Sequence, residues 1–266
     1  NNMKKYLVIG NPIDHSLSPL LHNYWLKKNN INGTYDKKKL SHSDLKSFFL
    51  KIRNKEIDGV NVTVPFKKDV ILYLDNLSIE ANSTQSVNTI YLENDKIVGH
   101  NTDISGFEMS IKETGYVFAK KKVLVLGAGG VVSSIIFALY KMGVSKVFLC
   151  NRTKTKAENL KNLFQNLEVV DWGEVPNVDI VINASSVGLN REDRIDYDFS
   201  KFKSAKFFYD IIYNPKETNF LKDGKRLGKK VENGKKMFIY QAAQSFKIWH
   251  QIEPEINYEI NGLLDK

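Results

Sequence analysis

The chain has 266 residues, 42% hydrophobic and 26% charged, with 39 Lys and Arg against 30 Asp and Glu for a formal charge of +9. This composition suits one large or two ordinary globular domains; no run approaches the roughly 18 apolar residues of a membrane helix, no secretory leader opens the chain, and the lysines are scattered rather than striped as in a nucleic-acid binder. Cys150, the one cysteine, excludes an intrachain disulfide and a paired-thiolate zinc site, and the five histidines lack ligand spacing, so a reducing cytoplasmic setting without a metal is expected.

Residues 4–10 read as a short buried strand ending in glycine. Ser18-Pro19 marks a helix start, with the serine hydroxyl as cap and proline where the N–H has no partner, and Leu20, Leu21, Tyr24 and Trp25 carry helical spacing to residue 29. A second helix is predicted over 43–53, with Leu45, Phe48, Phe49 and Ile52 on one face. In 59–64, Val60, Val62 and Val64 alternate with Asn61 and Thr63, the period of a strand with one apolar face. Pro65 ends that ladder and Lys67 follows at once, either as part of an active-site wall or as a solvated lysine beside an edge strand. A helical stretch over 68–74 and a hairpin of 89–92 with 96–99 complete a unit of alternating strands and helices, the grammar of a mostly parallel sheet.

After Lys120-Lys121-Lys122, the apolar run 123–126 ends in Gly127-Ala128-Gly129-Gly130 and leads into a helix to about Met142. Further apolar runs fall at 147–150, 179–184 and 207–212, and after Gly234 a last helix places Ile239, Ala242, Phe246 and Trp249 on one face. Strand, glycine turn, helix and strand at this spacing define a dinucleotide-binding unit. Gly127 permits the tight turn, Gly129 lets a pyrophosphate approach the backbone, and the helix amino end faces the phosphates. The second strand ends in Asn151-Arg152-Thr153, with Lys156 a turn further on, where an acid would hold the free ribose hydroxyl of NAD. Guanidinium and ammonium groups suit a 2′-phosphate, which favours NADP(H).

The first unit carries small polar groups: Ser16 and Ser18, Asn88, and Asp103. Hydroxyls, an amide, an amine and a carboxylate suit a polyol or hydroxy-acid substrate, whose discriminating contacts are hydrogen bonds. Each also has a plain alternative: Ser18 as a helix cap, Asn88 as a turn residue, Asp103 as the cap of a helix over 104–114.

Together H-S-L-S-P, G-V-N-V-T-V-P-F-K, S-V-N-T, G-H-N-T-D-I-S-G, G-A-G-G, N-R-T, Y-D-I-I-Y-N-P and Q-A-A-Q-S-F resemble the shikimate dehydrogenase family in order and spacing, from Tyr6 to Trp249. The resemblance implies an α/β fold in two domains. One is an amino-terminal α/β substrate domain over 1–103, with a mostly parallel sheet and completed by 237–266; the other is a Rossmann NADP-binding domain over 104–236. It implies NADPH-dependent reduction of 3-dehydroshikimate to shikimate in aromatic amino-acid biosynthesis, by a monomer or homodimer whose partners are small molecules. Lys67 and Asp103 take the place of the catalytic pair, and Ser16, Ser18, Thr63, Asn88, Tyr213 and Gln244 that of substrate contacts. Gly127, Ala128, Gly129, Gly130, Asn151, Arg152, Thr153, Lys156 and Gly234 match cofactor contacts. An ordinary lysine is protonated at neutral pH, so Lys67 suits proton donation as hydride reaches the carbonyl carbon. The alternatives are a quinate/shikimate dehydrogenase using NAD or NADP, and a non-catalytic dinucleotide- or shikimate-binding regulator. The chain departs from the family pattern at Val131 and Val132, where small residues are usual, at Ser133 and Ser134, and at Gln85-Ser86 in place of Gly-Ala.

Overall fold

Two units make up the chain, Asn1–Gly106 with Ile239–Lys266 and, separately, Phe107–Phe238. The computed structural model describes residues 3–265; Asn1, Asn2 and Lys266, which the expected domain ranges include, lie outside the described residues.

The first unit runs β1 (Lys4–Gly10), α1 (Ser18–Lys28), β2 (Gly33–Lys39), α2 (Leu45–Arg53), β3 (Gly59–Val62), β4 (Asn76–Leu77), α3 (Ile79–Thr84), β5 (Thr89–Glu93) and β6 (Lys96–His100). The strands form a six-stranded sheet in the order β2-β1-β3-β5-β6-β4. β1 pairs in parallel with β2 and β3, β5 is antiparallel to both β3 and β6, and β4 is parallel to β6. The sheet is therefore mixed, with its parallel part at β2-β1-β3. The hairpin turns through Asn94 and Asp95, whose φ of 50° and 64° are what a two-residue turn matching strand twist requires.

β3 is an interior strand, not an edge, and its residues are buried. Val60 and Val62 join a cluster with Phe48, Phe49 and Ile52 of α2, while Asn61 points to the opposite face. The strand stops two residues sooner than its alternation predicts, and Val64 is exposed. Thr63 still donates its N–H to the carbonyl of Ile9, so β3 yields to a turn that carries Pro65 and Lys67 past the sheet edge. The helix expected over 68–74 is a short 3₁₀ stretch, Asp69–Tyr73. β2 escapes the periodic pattern because Asp36, Lys37, Lys38 and Lys39 are exposed; such charges blunt an edge strand against pairing.

Two caps also differ from expectation. The Ser18 hydroxyl does not cap α1; the Ser16 Oγ accepts from the Ser18 N–H at 3.3 Å instead. α4 (Asp103–Thr114) is capped by Asn101, whose Oδ1 accepts from the N–H of Asp103 at 2.9 Å and of Ile104 at 3.3 Å. The carboxylate of Asp103 is thus not spent on its own helix.

The second unit continues with β7 (Lys122–Leu126), α5 (Val132–Lys141), β8 (Lys146–Cys150), α6 (Lys154–Asn159), β9 (Glu168–Val169), β10 (Ile180–Asn183), β11 (Phe207–Asp210), α7 (Asn219–Arg226) and β12 (Lys230–Glu232). Its strands lie in the order β9-β8-β7-β10-β11-β12, every pair parallel. This is the doubly wound Rossmann order, with chain direction reversing between β7 and β10. The strands read as apolar runs because helices cover both faces of a parallel sheet. α5 begins at Val132, two residues later than the glycine pattern suggests.

α8 (Lys235–His250) and α9 (Tyr258–Leu264) end the chain, and Ile239, Ala242 and Phe246 are buried as the periodicity predicts. On the first unit the Trp249 Nε1 donates to the carbonyl of Ile90, and Phe246 packs near Trp25 and His22. The His22 ring stacks on Tyr35 at 4.3 Å, and burial, with His250 alongside, pushes its imidazole down to about 3. It is a neutral core residue.

Candidate active site

In the first unit β1 leads to β2 on one side while β3 lies on the other, so the β1/β3 boundary is a topological switch point. Ligands in open α/β sheets bind outside the carboxyl ends of the strands at such a point. Ser16 and Ser18 follow β1, and Thr63 and Lys67 follow β3. The Lys67 Nζ donates to Asp103 Oδ2 at 2.7 Å, with 13% and 7% of the two side chains exposed. The carboxylate and the enclosure together fix the direction of the Lys67 amine.

Asn88 is a buried junction rather than a turn residue. Its Nδ2 donates to Thr102 Oγ1 at 2.7 Å, to Asp103 Oδ1 at 3.3 Å and to Gln241 Oε1 at 3.3 Å. Its Oδ1 accepts from the Thr102 N–H at 2.8 Å and from the Thr89 hydroxyl at 3.0 Å. Beneath it the Asn61 Nδ2 donates to the Asn88 carbonyl, Thr89 Oγ1 and Ser245 Oγ, and its Oδ1 accepts from Tyr35 at 2.6 Å. The Ser18 hydroxyl meets the Tyr35 hydroxyl, which burial keeps protonated. A continuous polar web therefore links Ser18 to Asp103 through residues that leave few buried polar groups unpaired.

Gln244 does not join this web; it stands exposed on α8. Gln241, one turn earlier, does join it, with its carbonyl accepting from Thr102 Oγ1 at 2.9 Å. Q-A-A-Q offers two glutamines, and helical phase separates them: the buried Ala242, Ser245 and Phe246 mark the inward face. Thr102 and Ser245 were likewise missed, because hydroxyls buried under a sheet carry no sequence signal of their own. Tyr213 belongs to the second unit, where its ring stacks on Phe238 at 4.9 Å and burial raises its hydroxyl pKa.

In the second unit the glycine turn follows β7 at the β7/β10 switch point. Gly127 has φ +115°, and a Cβ there would lie 2.9 Å from the backbone of Ala184 and Ser185. Ala128 is half-buried, and Gly129 and Gly130 are exposed, with open space where a Gly129 side chain would stand. The turn is a cradle that fits a dinucleotide pyrophosphate ahead of α5. Val132 is fully buried and Val131 half-buried, so Val132 fills the core rather than the cradle. Ser133 and Ser134 are buried too.

After β8, the Asn151 Nδ2 donates to the Thr153 carbonyl, and Arg152, Thr153 and Lys156 are exposed. The Arg152 Nη2 donates to Asp196 Oδ1 at 2.6 Å, and Lys154 pairs with Asp171. Gly234 is buried against the segment after β11: a Cβ there would lie 1.8 Å from the Ile211 carbonyl oxygen, so glycine is required for that approach. Among the described residues no group of three or more His, Cys, Asp or Glu could hold a metal ion, and no helix is long and apolar enough to cross a membrane.

A polar switch-point site in one unit and a doubly wound dinucleotide unit in the other define a two-part α/β protein of the dinucleotide-linked class. Residues 8–90 match the family model for the shikimate dehydrogenase substrate binding domain, and residues 109–217 match that for shikimate/quinate 5-dehydrogenase. The shikimate dehydrogenase (NADP(+)) of Pelagibacter ubique is 55% identical over 98% of this chain and 99% of its own. Among solved structures, shikimate dehydrogenase from Aquifex aeolicus superimposes with a TM-score of 0.88 at 38% identity, covering 99% of this chain and 98% of that one. The Thermus thermophilus enzyme, solved with NADP(H) and shikimate, gives 0.87 at 30% identity over 98% and 97% of the two chains. The chain belongs to the family of NADP-dependent shikimate dehydrogenases.

Proposed function

We propose that the chain catalyses the reversible NADPH-dependent reduction of 3-dehydroshikimate to shikimate, with Lys67 as proton donor and Asp103 as its partner. The observation that carries this is the enclosed Lys67–Asp103 pair, braced by Asn88. When bound by the second unit, NADPH would supply the hydride for reduction of the substrate carbonyl. One N–H of the Lys67 ammonium is directed to Asp103. Another donates to the carbonyl oxygen and passes its proton there as the oxygen gains charge, leaving a hydroxyl. Asp103 fixes the direction of the amine before reaction.

Ser16 and Ser18 are assigned to the substrate carboxylate, and Thr63 and Asn88 to its hydroxyls. Gln241, beside Asn88, takes the contact that sequence order gave to Gln244. The second unit holds the cofactor through Gly127, Ala128, Gly129 and Gly130 at the pyrophosphate, and Asn151, Arg152, Thr153 and Lys156 at the adenosine 2′-phosphate. Gly234 supports the Tyr213 segment through its approach to Ile211.

Absorbance at the nicotinamide band with shikimate and either NADP+ or NAD+ tests the reading. Turnover with NADP+ at least tenfold more efficient than with NAD+ is expected. A tenfold preference for NAD+ overturns the cofactor assignment, and measurable shikimate binding without turnover favours a regulator.

A further inference from the structure

Arg152 does not stand alone at the end of β8. Its guanidinium carbon lies 5.1 Å from the centre of the Trp172 ring, and its Nη2 donates to Asp196 Oδ1 at 2.6 Å. The Trp172 Nε1 donates to the same oxygen at 2.9 Å. One carboxylate oxygen thus ties the cation to the indole on which it lies.

This group is anchored below. Trp172 meets the Tyr197 ring edge-on at 5.4 Å, and the Tyr197 hydroxyl donates to the Glu174 carbonyl and lies 3.7 Å from Cys150 Sγ, the last residue of β8. Trp172 and Tyr197 also pack on the buried cluster of Leu126, Cys150, Phe199 and Phe208. An isolated surface ion pair fixes little, because two long side chains lose entropy to hold one geometry. Here an indole fixed by packing restrains one face of the guanidinium, and a single carboxylate oxygen fixes its rotation. A planar guanidinium recognises phosphate through paired, directional N–H groups, so its orientation governs how well it does so.

We infer that Asp196 and Trp172 are positioning residues that orient Arg152 toward the 2′-phosphate of NADP and so set the preference for NADP over NAD. This rests on the assignment of Arg152 to the 2′-phosphate made above. Asp196 acts through the shared oxygen: Asn in its place keeps an oxygen for both donors, whereas Ala removes it. Trp172 acts through its ring face and its N–H.

Calorimetric titration of the purified protein with NADP+ and with NAD+ tests the inference without reliance on turnover. Arg152→Ala comes first. If it leaves the ratio of the two affinities within twofold of the parent value, the Arg152 assignment fails and the inference with it. If the ratio falls, Asp196→Ala and Trp172→Leu are expected to weaken NADP+ binding three- to tenfold while NAD+ binding stays within twofold. Asp196→Asn is expected to remain within twofold for both. In the Arg152→Ala background, Asp196→Ala is expected to have no further effect on NADP+. Unchanged NADP+ affinity in both variants overturns the inference and leaves the Arg152 assignment standing. So does a loss shared equally by NAD+, or a loss in Asp196→Asn as large as in Asp196→Ala.

Discussion

Lys67 and Asp103, 36 positions apart in sequence, meet at 2.7 Å because β3 ends at Val62 and Asn101 takes over the capping of α4. Had Asp103 capped its own helix, its carboxylate would be turned to backbone N–H groups. Asp103→Asn keeps the shape and removes the charge that holds the ammonium. Steady-state kinetics are expected to show kcat reduced by about 10²-fold or more, the usual size of a general acid–base contribution, with shikimate KM changed far less.

Ser245 lies fully buried between Thr89 at 2.7 Å, Thr102 at 3.1 Å and Asn61 at 3.2 Å. Ser245→Ala removes one hydrogen bond from each of those groups, which keep their other partners, and a lost buried hydrogen bond costs about 0.5–1.5 kcal/mol. Urea unfolding is expected to show a loss in that range, whereas Gln244→Ala, at an exposed position, is expected to stay within about 0.5 kcal/mol of the parent.

Asp210, at the end of β11, accepts from Asn183 Nδ2, the Ile212 N–H and Thr218 Oγ1 with no cation among these partners. Burial pushes its carboxyl up from 3.8 to about 6, against the opposing effect of those hydrogen bonds. The folded protein therefore holds this proton more tightly than the unfolded chain does. The associated stability is present below pH 3.8 and is lost as pH rises through about 6. Between pH 5 and pH 8 the loss amounts to roughly 1–2 kcal/mol. Asp210→Asn is expected to remove that part of the pH dependence, measured as the difference in unfolding free energy at the two pH values.

Gln85 occupies the left-handed conformation after α3, with φ 51° and ψ 40°, a region that glycine adopts without strain. Its Nε2 bonds to the Asn82 carbonyl at 2.7 Å and offsets part of the strain. Gln85→Gly is expected to leave stability unchanged or raise it by up to about 1 kcal/mol. Gln85→Val, β-branched in the same conformation, is expected to lower it by about 1–2 kcal/mol. Thermal unfolding of the two variants checks the contrast.

The second unit was the more legible in sequence because its strands are continuous apolar runs and its cradle is built of glycine. β7, β8, β10 and β11 fall within one or two residues of their predicted runs. β2 was missed because an edge strand with Lys37, Lys38 and Lys39 in solvent has no apolar period. β3 was recognised, but its alternation continued through Val64, beyond the point where the ladder ends. The residues that meet around Asn88 were individually ambiguous. The hydrogen bond from Asn88 across 153 positions to Gln241, together with the phase of α8, separates Gln241 from Gln244. Likewise, Val132 stands out in the sequence as a departure from the resemblance, and its burial shows that it belongs to the core.

The role proposed for Lys67 is transfer of the proton, beyond binding of substrate. Measuring kcat for shikimate oxidation with NADP+ together with the shikimate dissociation constant, in the parent protein and in Lys67→Ala, tests it most directly. In Lys67→Ala kcat is expected to fall by about 10³-fold, within the range for loss of a general acid or base, while the dissociation constant changes less than about threefold. An equal loss in both quantities, or turnover within tenfold of the parent, would contradict it.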